Sequence, residues 1–383
     1  MLISKSFRLC LSIFILINVL LYLFIFFFHQ LVPFNAYYYY YHAYHYLPDP
    51  RFYHHNFDFL SALAQWDAQF YLHIAAKGYS QVMGSFMYAF FPLYPLSLFI
   101  INKLINNIEL TAFIVGNIVL LADFISLYFI VTKLYNEKIA FRTSILMFLY
   151  PFRIFYRSYF AEGLFLFFLL WFCYFIITKK WFFSTLFFAF LCVTRPTGLF
   201  LIPLYIFLLL HAVEDKKSSM SILKVFEYCF LASIPFIGWL YYCYATTGNS
   251  YYWMNTDTGS LKTSILHPIE FNITQLLHFG SLPFHYFGES KVETITFLLV
   301  VALLILSKKR LKPELWWTCF LLAIPIPFLK DLISFSRFQS VSFPLFLYLA
   351  QVFSGTKFII ICSIFFILLF ATSLFFVNWY WVG

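Results

Sequence analysis

The chain has 383 residues, of which 63% are hydrophobic and 25% aromatic, while only 11% are charged. Its mean hydropathy of +0.83 excludes a soluble globular protein, because a soluble domain could not cover its core with so little polar surface. The net charge of +9 does not indicate nucleic-acid binding, since the lysines and arginines lie at the ends of apolar segments. The composition therefore predicts an integral membrane protein.

Apolar runs follow one another along the chain and predict transmembrane helices. The first run, 9–28, follows Lys5 and Arg8 and lacks a small-residue cleavage site, which favours an uncleaved first helix. The later runs lie at about 86–102, 111–132, 141–156, 160–178, 181–194, 197–212, 225–245, 292–307, 314–329, 337–352 and 357–377. We expect a single multi-pass domain over 1–383, an all-α polytopic fold with about 11 transmembrane helices.

The run 86–102 is the exception among these segments, because it contains Pro92 and Pro95. If it crossed the membrane, every later basic cluster would move to the outer side, against the positive-inside rule. We therefore expect it to lie in the interface or to re-enter the membrane. The long segments 29–110 and 246–291 then form the first and second outer loops.

The segment 181–212 allows two interpretations. Its two halves are short for membrane spans, and Pro196 stands between them. The proline marks either the turn of a hairpin or a kink in one helix. The sequence alone leaves this choice open.

The sequence predicts neither a disulfide framework nor a metal site. The seven cysteines lie in or beside apolar runs and form no CxxC pair. His54, His55 and His73 have no Cys, Asp or Glu at ligand spacing, which favours interfacial packing over metal binding.

Asp67 is the best candidate for a catalytic residue. It lies in the first outer loop between Trp66 and Tyr71, close to a hydrophobic core. A carboxylate in a partly dry site can remove a proton from an attacking hydroxyl, and the neighbouring aromatic rings can stack on a sugar. The alternative is a helix-capping or interfacial aspartate, and Asp58 is a local competitor for the catalytic role.

A group of arginines lies at the outer ends of predicted helices, where topology does not require positive charge. These residues are Arg153, Arg157, Arg195 and Arg337. Guanidinium groups suit bidentate binding of phosphate, so the group indicates a lipid-linked phosphate as ligand. The alternative for any one of them is headgroup contact or pairing with an acidic residue.

Glu162 stands at the start of an apolar run. Intramembrane carboxylates are candidates for functional sites, and for this one we expect contact with substrate. The alternative is a structural ion pair with Arg157 or Arg195.

Several motifs follow one another in an order that resembles one family. The most specific are Trp66-Asp67 with Tyr71-Leu72-His73-Ile74-Ala75 and Gly78-Tyr79, followed by Ala89-Phe90-Phe91-Pro92-Leu93-Tyr94-Pro95-Leu96. Supporting stretches are Tyr150-Pro151-Phe152, Tyr159-Phe160-Ala161-Glu162-Gly163-Leu164-Phe165, Thr194-Arg195-Pro196-Thr197-Gly198 and Arg337 to Pro344. Together they resemble the GPI mannosyltransferase 2 (PIG-V-like) family, including its bacterial members.

The resemblance implies a GT-C glycosyltransferase fold with its active site on the outer, luminal or periplasmic face. It implies a dolichyl- or polyprenyl-phosphate sugar donor, usually mannose, a glycolipid acceptor such as a GPI precursor, and inversion at the anomeric carbon. Asp67 matches the family's Trp-Asp acid, while Glu162 and Arg195 match further family positions. Ala161 and Gly163 depart from the small hydroxyl residues expected beside Glu162.

These expectations combine into a hypothesis for a membrane mannosyltransferase without cofactor or metal. Asp67 activates the acceptor, Trp66 and Tyr71 contact sugar, and Arg195 or Arg337 stabilises the leaving phosphate. The expected membrane is the endoplasmic reticulum in a eukaryote and the cytoplasmic membrane in a bacterium, and a small membrane subunit is a candidate partner. The rival is a lipid or sugar transporter or flippase, which should place charges near the membrane midplane.

Overall fold

The computed structural model describes residues 4–80, 85–215, 220–254, 291–330, 332 and 334–383. These residues form helices joined by turns, and no strand occurs among them. Most of the predicted second outer loop, at 255–290, lies outside the described residues.

The α-helices fall into three groups along the chain. The first group is α1 (Lys5–Phe28), α2 (Ala36–His42), α3 (Phe59–Leu63), α4 (Asp67–Lys77) and α5 (Leu93–Ile105). The second is α6 (Ile108–Leu134), α7 (Glu137–Leu149), α8 (Glu162–Ile177), α9 (Trp181–Thr194), α10 (Ile202–Glu214) and α11 (Ile222–Thr247). The third is α12 (Lys291–Ser307), α13 (Pro313–Ala323), α14 (Pro325–Lys330), α15 (Phe335–Gln339), α16 (Phe343–Val352) and α17 (Gly355–Val377).

Several helical stretches are long and apolar enough to cross a membrane. Among the described residues these are Lys5–Leu31, Ile108–Leu134, Pro196–Glu214, Ile222–Thr247 and Gly355–Val377. Shorter apolar helices are Leu93–Ile105, Glu162–Ile177, Trp181–Thr194 and Phe343–Val352. The chain is therefore an all-α, multi-pass integral membrane protein, as predicted, while the count of 11 crossings stays a prediction.

The centre of the fold is a bundle of α6, α7, α8 and α9, with α11 packed against α9 and α16 against α7. Asn107 and Asn136 begin α6 and α7 by accepting a hydrogen bond from the N–H three residues further on. Only Tyr135 and Asn136 connect these two helices, so they run antiparallel. Buried side chains such as Leu146 on α7 and Phe172 on α8, both 0% exposed, belong to the hydrophobic core of this bundle.

The basic turns lie at one end of this bundle. Tyr128, near the end of α6, donates to the Ser6 hydroxyl at 2.9 Å, so the start of α1 lies at that end. Lys179, in the turn between α8 and α9, pairs with Asp215 at 2.6 Å just after α10. The start of α8 and the end of α9 therefore lie at the opposite end of the bundle.

The segment 181–212 is a hairpin. The hydroxyls of Thr185 on α9 and Tyr205 on α10 are 2.6 Å apart, and the rings of Phe188 and Tyr205 stack at 4.4 Å. These contacts would be impossible in one kinked helix, because the two positions are 20 residues apart and lie about 30 Å from each other along an α-helix. Of the two interpretations of Pro196, the turn is therefore the one observed.

The prolines of the run 86–102 open a helix instead of interrupting it. Pro92 precedes α5 and Pro95 lies in its first turn, where a missing N–H costs nothing. A helix of 13 residues is about 20 Å long, shorter than a hydrocarbon core of about 30 Å. This length favours the predicted interfacial or re-entrant placement.

The predicted helix 141–156 differs from the observed one. Helix α7 ends at Leu149, and Pro151–Tyr156 forms a 3₁₀ turn. Because proline cannot continue an α-helix, the chain leaves α7 and folds back into the protein. Arg153 and Arg157 are consequently 0% and 2% exposed instead of lying at an open helix end.

Gly198→Ala should destabilise the α9–α10 hairpin. A Cβ at this position would lie 2.6 Å from the carbonyl oxygen of Leu191, so the turn must shift, at a cost of about 1–3 kcal/mol. The matched control is Gly238→Ala, where no atom lies within 4 Å of the added Cβ. Thermal unfolding in detergent should show a lower Tm for Gly198→Ala alone, and equal Tm values for both variants would contradict this packing.

Candidate functional site

A tight turn presents Asp67 at the start of α4. Trp66 has φ 53° and ψ −128°, a backbone conformation that is rare for residues other than glycine. Gln65 holds this turn in place, since its Nε2 donates to the carbonyl of Val377 at 2.7 Å and its Oε1 accepts from the N–H of Trp379 at 3.1 Å. Such strain persists only where surrounding contacts enforce it, and it is typical of functional sites.

Four of the predicted site residues form one chain of ion pairs. Arg337 Nη1 lies 2.7 Å from Asp67 Oδ2, and Arg337 Nε lies 2.5 Å from Glu162 Oε1. Arg195 Nη1 lies 2.8 Å from the same oxygen of Glu162. The order is therefore Asp67–Arg337–Glu162–Arg195, with alternating charges, and we call these four residues the charge cluster.

Within the charge cluster, solvent reaches mainly Asp67. Its side chain is 27% exposed, whereas that of Glu162 is 0% exposed and those of the two arginines are 5% and 6% exposed. Each buried charge is compensated by a partner of opposite sign, which a dry environment requires. Asp67 is thus the member that a substrate can approach, and Glu162 is the internal anchor of both guanidiniums.

Three of these groups lie at helix ends whose dipole has the opposite sign to their charge. Asp67 and Glu162 are the first residues of α4 and α8, where the helix dipole stabilises negative charge. Arg195 directly follows α9, where the dipole stabilises positive charge.

Glu162 keeps one oxygen available. Its Oε2 is buried and accepts no hydrogen bond from the residues that the structure describes. Buried carboxylate oxygens are normally hydrogen-bonded, so a substrate hydroxyl or a water is the expected donor to this atom.

Aromatic rings surround the two guanidiniums. The guanidinium carbon of Arg337 lies 4.7 Å from the ring centre of Phe160 and 5.2 Å from that of Phe155. The guanidinium of Arg195 lies 4.9 Å from the ring of Phe338. These rings attract the cations and exclude water, which strengthens their interaction with an anionic ligand.

Two titratable side chains near Asp67 are held neutral. Burial and, to a smaller extent, the charge of Asp67 raise the pKa of Tyr44 to about 12, so its hydroxyl remains a hydrogen-bond donor at neutral pH. Burial lowers the pKa of His42, whose ring stacks on Trp66 at 6.0 Å. Tyr44 and His42 therefore contribute an aromatic, uncharged part of the site, to which the charged Arg337 does not belong.

Trp66 and Tyr71 are both buried, at 5% and 4% exposure. The ring of Trp66 lies 5.1 Å from that of Trp381, and Tyr71 packs edge-on against Phe90 at 5.0 Å and Tyr94 at 5.2 Å. The two residues form the walls around the start of α4. Their predicted contact with sugar stays a prediction.

Arg153 and Arg157 do not join the charge cluster, contrary to the prediction of one phosphate-binding group. Arg157 Nε donates to Asn18 Oδ1 at 2.9 Å, and Arg153 stacks on its own 3₁₀ turn with its guanidinium carbon 3.6 Å from the ring of Tyr156. Of the two ion pairs considered for Glu162, the one with Arg157 does not form.

Sequence reasoning missed Gln65 and the segment after α17. An available signal was the run Trp379-Tyr380-Trp381, directly after an apolar helix. Aromatic residues at the end of a span usually mark the membrane interface, so this run did not stand out.

The described residues contain no group of three or more His, Cys, Asp or Glu side chains placed to hold a metal ion. The two carboxylates of the charge cluster are bridged by Arg337 instead. In this site the guanidiniums supply the positive charge near Asp67.

Residues 8–265 match the family model described as Mannosyltransferase (PIG-V). The chain belongs to this family. Membership implies a membrane glycosyltransferase, in agreement with the motifs around Asp67, and it lends no support to a transporter. Neither a curated protein nor a solved structure matches the chain. Of the charge cluster, the matched region contains Asp67, Glu162 and Arg195, whereas Arg337 lies beyond it.

Glu162→Gln should destabilise the protein strongly. The change keeps the side chain's shape but removes the carboxylate that Arg195 pairs with among the described residues and leaves Arg337 paired with Asp67, at an expected cost of about 3–5 kcal/mol. Glu214→Gln is the control, because Glu214 is 80% exposed and should change stability by less than about 0.5 kcal/mol. If both variants unfold in detergent at the wild-type temperature, Glu162 is not the anchor of the cluster.

Proposed function

We propose that this protein transfers mannose from a dolichyl- or polyprenyl-phosphate donor to a glycolipid acceptor, with a GT-C-type architecture. The observation that carries the proposal is the 2.7 Å contact between Asp67 and Arg337. It places a solvent-accessible carboxylate, suited to accept a proton, beside a guanidinium, suited to bind phosphate. Family membership supports the sugar and the reaction class.

In the proposed reaction, the acceptor hydroxyl attacks the anomeric carbon of the donor sugar and inverts its configuration. Asp67 takes the hydroxyl proton as the new carbon–oxygen bond forms. The bond between the anomeric carbon and the phosphate oxygen breaks, and the electron pair stays on the lipid phosphate. Arg337, and Arg195 behind it, stabilise that developing charge.

Lipid-linked substrates need a place for an apolar chain. A cavity of about 600 Å³ opens between α4, α5 and α11, and its lining is largely apolar, with Pro95, Phe99, Pro235 and Trp239 among the contributing residues. Asp67 and this cavity lie at opposite ends of α4, about 15 Å apart along the helix. A lipid whose isoprenoid chain lies in the cavity would have to extend along α4 to bring its phosphate to the charge cluster.

The orientation of the site follows from charge. Basic turns such as the one at Lys179 and Lys180 lie at the end of the bundle opposite to Glu162. Under the positive-inside rule that end is cytoplasmic, so the site faces the lumen or periplasm. A glycolipid acceptor resembling a GPI precursor would be glycosylated on that face.

Asp67→Asn should abolish sugar transfer. Loss of a general base lowers the rate by about 10²–10⁴, while asparagine keeps the size of the side chain. The measurement is transfer of radiolabelled mannose from polyprenyl-phosphate-mannose into membrane lipid.

Asp58→Asn is the matched control, since Asp58 caps α3 through a 2.7 Å hydrogen bond from the N–H of Ser61, and asparagine caps helices equally well. Its transfer rate should equal that of wild type. Undiminished transfer by Asp67→Asn would rule out the general-base role, and absence of transfer by wild type with every lipid-linked sugar would refute the proposed activity.

Transfer should be unaffected by EDTA. The leaving group carries a single phosphate, and the guanidiniums of the charge cluster can compensate its charge. Initial rates in EDTA and in added magnesium or manganese should agree within about twofold, far less than the loss expected for removing a catalytic metal. A large loss that is restored by one metal would mean that a cation binds the donor phosphate.

A further inference from the structure

The segment 378–383, which follows α17, is built into the site. Asn378 is 1% exposed, accepts a hydrogen bond from Arg51 at 2.7 Å and donates to the carbonyl of His29 at 2.8 Å. Gln65 binds the backbone on both sides of Asn378. The segment is therefore tied to the same loop that presents the catalytic candidate.

Two tryptophans of this segment have different environments. Trp379 is 1% exposed, and its indole N–H donates to Asp49 at 3.2 Å, as expected of a structural residue. Trp381 is only partly buried, and the residues that surround it belong to the site. Its ring centre lies 5.1 Å from that of Trp66 and 5.8 Å from the guanidinium carbon of Arg337.

The position of Trp381 fits the geometry of a sugar phosphate. In a lipid-phosphate sugar the hexose is joined directly to the phosphate. A phosphate bound by Arg337 can therefore place the hexose next to the indole ring of Trp381. Hexoses carry an apolar face of C–H groups, which packs against the electron-rich face of an indole ring. A partly exposed aromatic ring beside the proposed base and the proposed phosphate site is the surface that such a sugar requires.

We propose that Trp381 is a sugar-binding residue that stacks on the hexose of the donor and holds its anomeric carbon near Asp67. This inference rests on the proposed function. In this proposal Trp381 binds the sugar of the donor, and the arginines bind its lipid phosphate.

The test compares binding of two ligands to the detergent-solubilised full chain. Polyprenyl-phosphate-mannose contains the sugar, and polyprenyl phosphate lacks it. Trp381→Ala should weaken binding of the first by about tenfold and leave binding of the second unchanged, and Trp381→Phe should restore most of the affinity. In transfer assays the donor KM should rise by a similar factor, with a much smaller change in kcat.

Trp317→Ala is the matched control, because Trp317 is 45% exposed on α13 near the basic turns. It should bind both ligands like wild type. Equal weakening of both ligands by Trp381→Ala would show a purely structural residue, and wild-type affinity for both would show no contact; either result overturns the proposal. If wild type binds neither ligand, the proposed function itself fails and the role of Trp381 fails with it.

Discussion

The site depends on one buried carboxylate. Glu162 is inaccessible to solvent and binds Arg195 and Arg337 through the same oxygen, so it fixes two guanidiniums that would otherwise be unstable in a dry interior. Arg337 in turn contacts Asp67. The position of the exposed carboxylate relative to the cations is thus set from inside the protein, by a residue that solvent does not reach.

The candidate residues could be predicted because charge is rare in this chain. Only 11% of residues are charged, and a charged group within apolar runs must have a partner or a function. Asp67, Glu162, Arg195 and Arg337 stand out for this reason, and the all-α membrane fold follows from the apolar runs. The ion pair of Glu162 with Arg195 was one of the alternatives that the sequence offered. The contact of Asp67 with Arg337 could not be predicted, since these residues are 270 positions apart and meet only through tertiary packing.

The sequence predictions differ from the structure where tertiary packing overrides the local sequence pattern. Arg153 and Arg157 resemble members of the site in sequence, but Pro151 ends α7 and turns both inward. Gln65 resembles an ordinary loop residue, although it binds a backbone segment 312 positions away. Apolar helices as short as α5 and α9 do not show by length alone whether they cross the membrane. The sequence pattern therefore does not fix the number of membrane crossings.

The charge cluster also has a consequence for biosynthesis. Two carboxylates and two guanidiniums make it neutral, but Arg337 follows the other three members along the sequence and is synthesised after them. Until Arg337 has entered the membrane, the nascent protein carries two acidic side chains and only one cation at the future site. Such a state has unpaired charge in a low-dielectric environment and should remain loosely packed. The arrival of Arg337 is therefore the step that neutralises the cluster, so a competent site would form only after the helix that contains Arg337 has inserted.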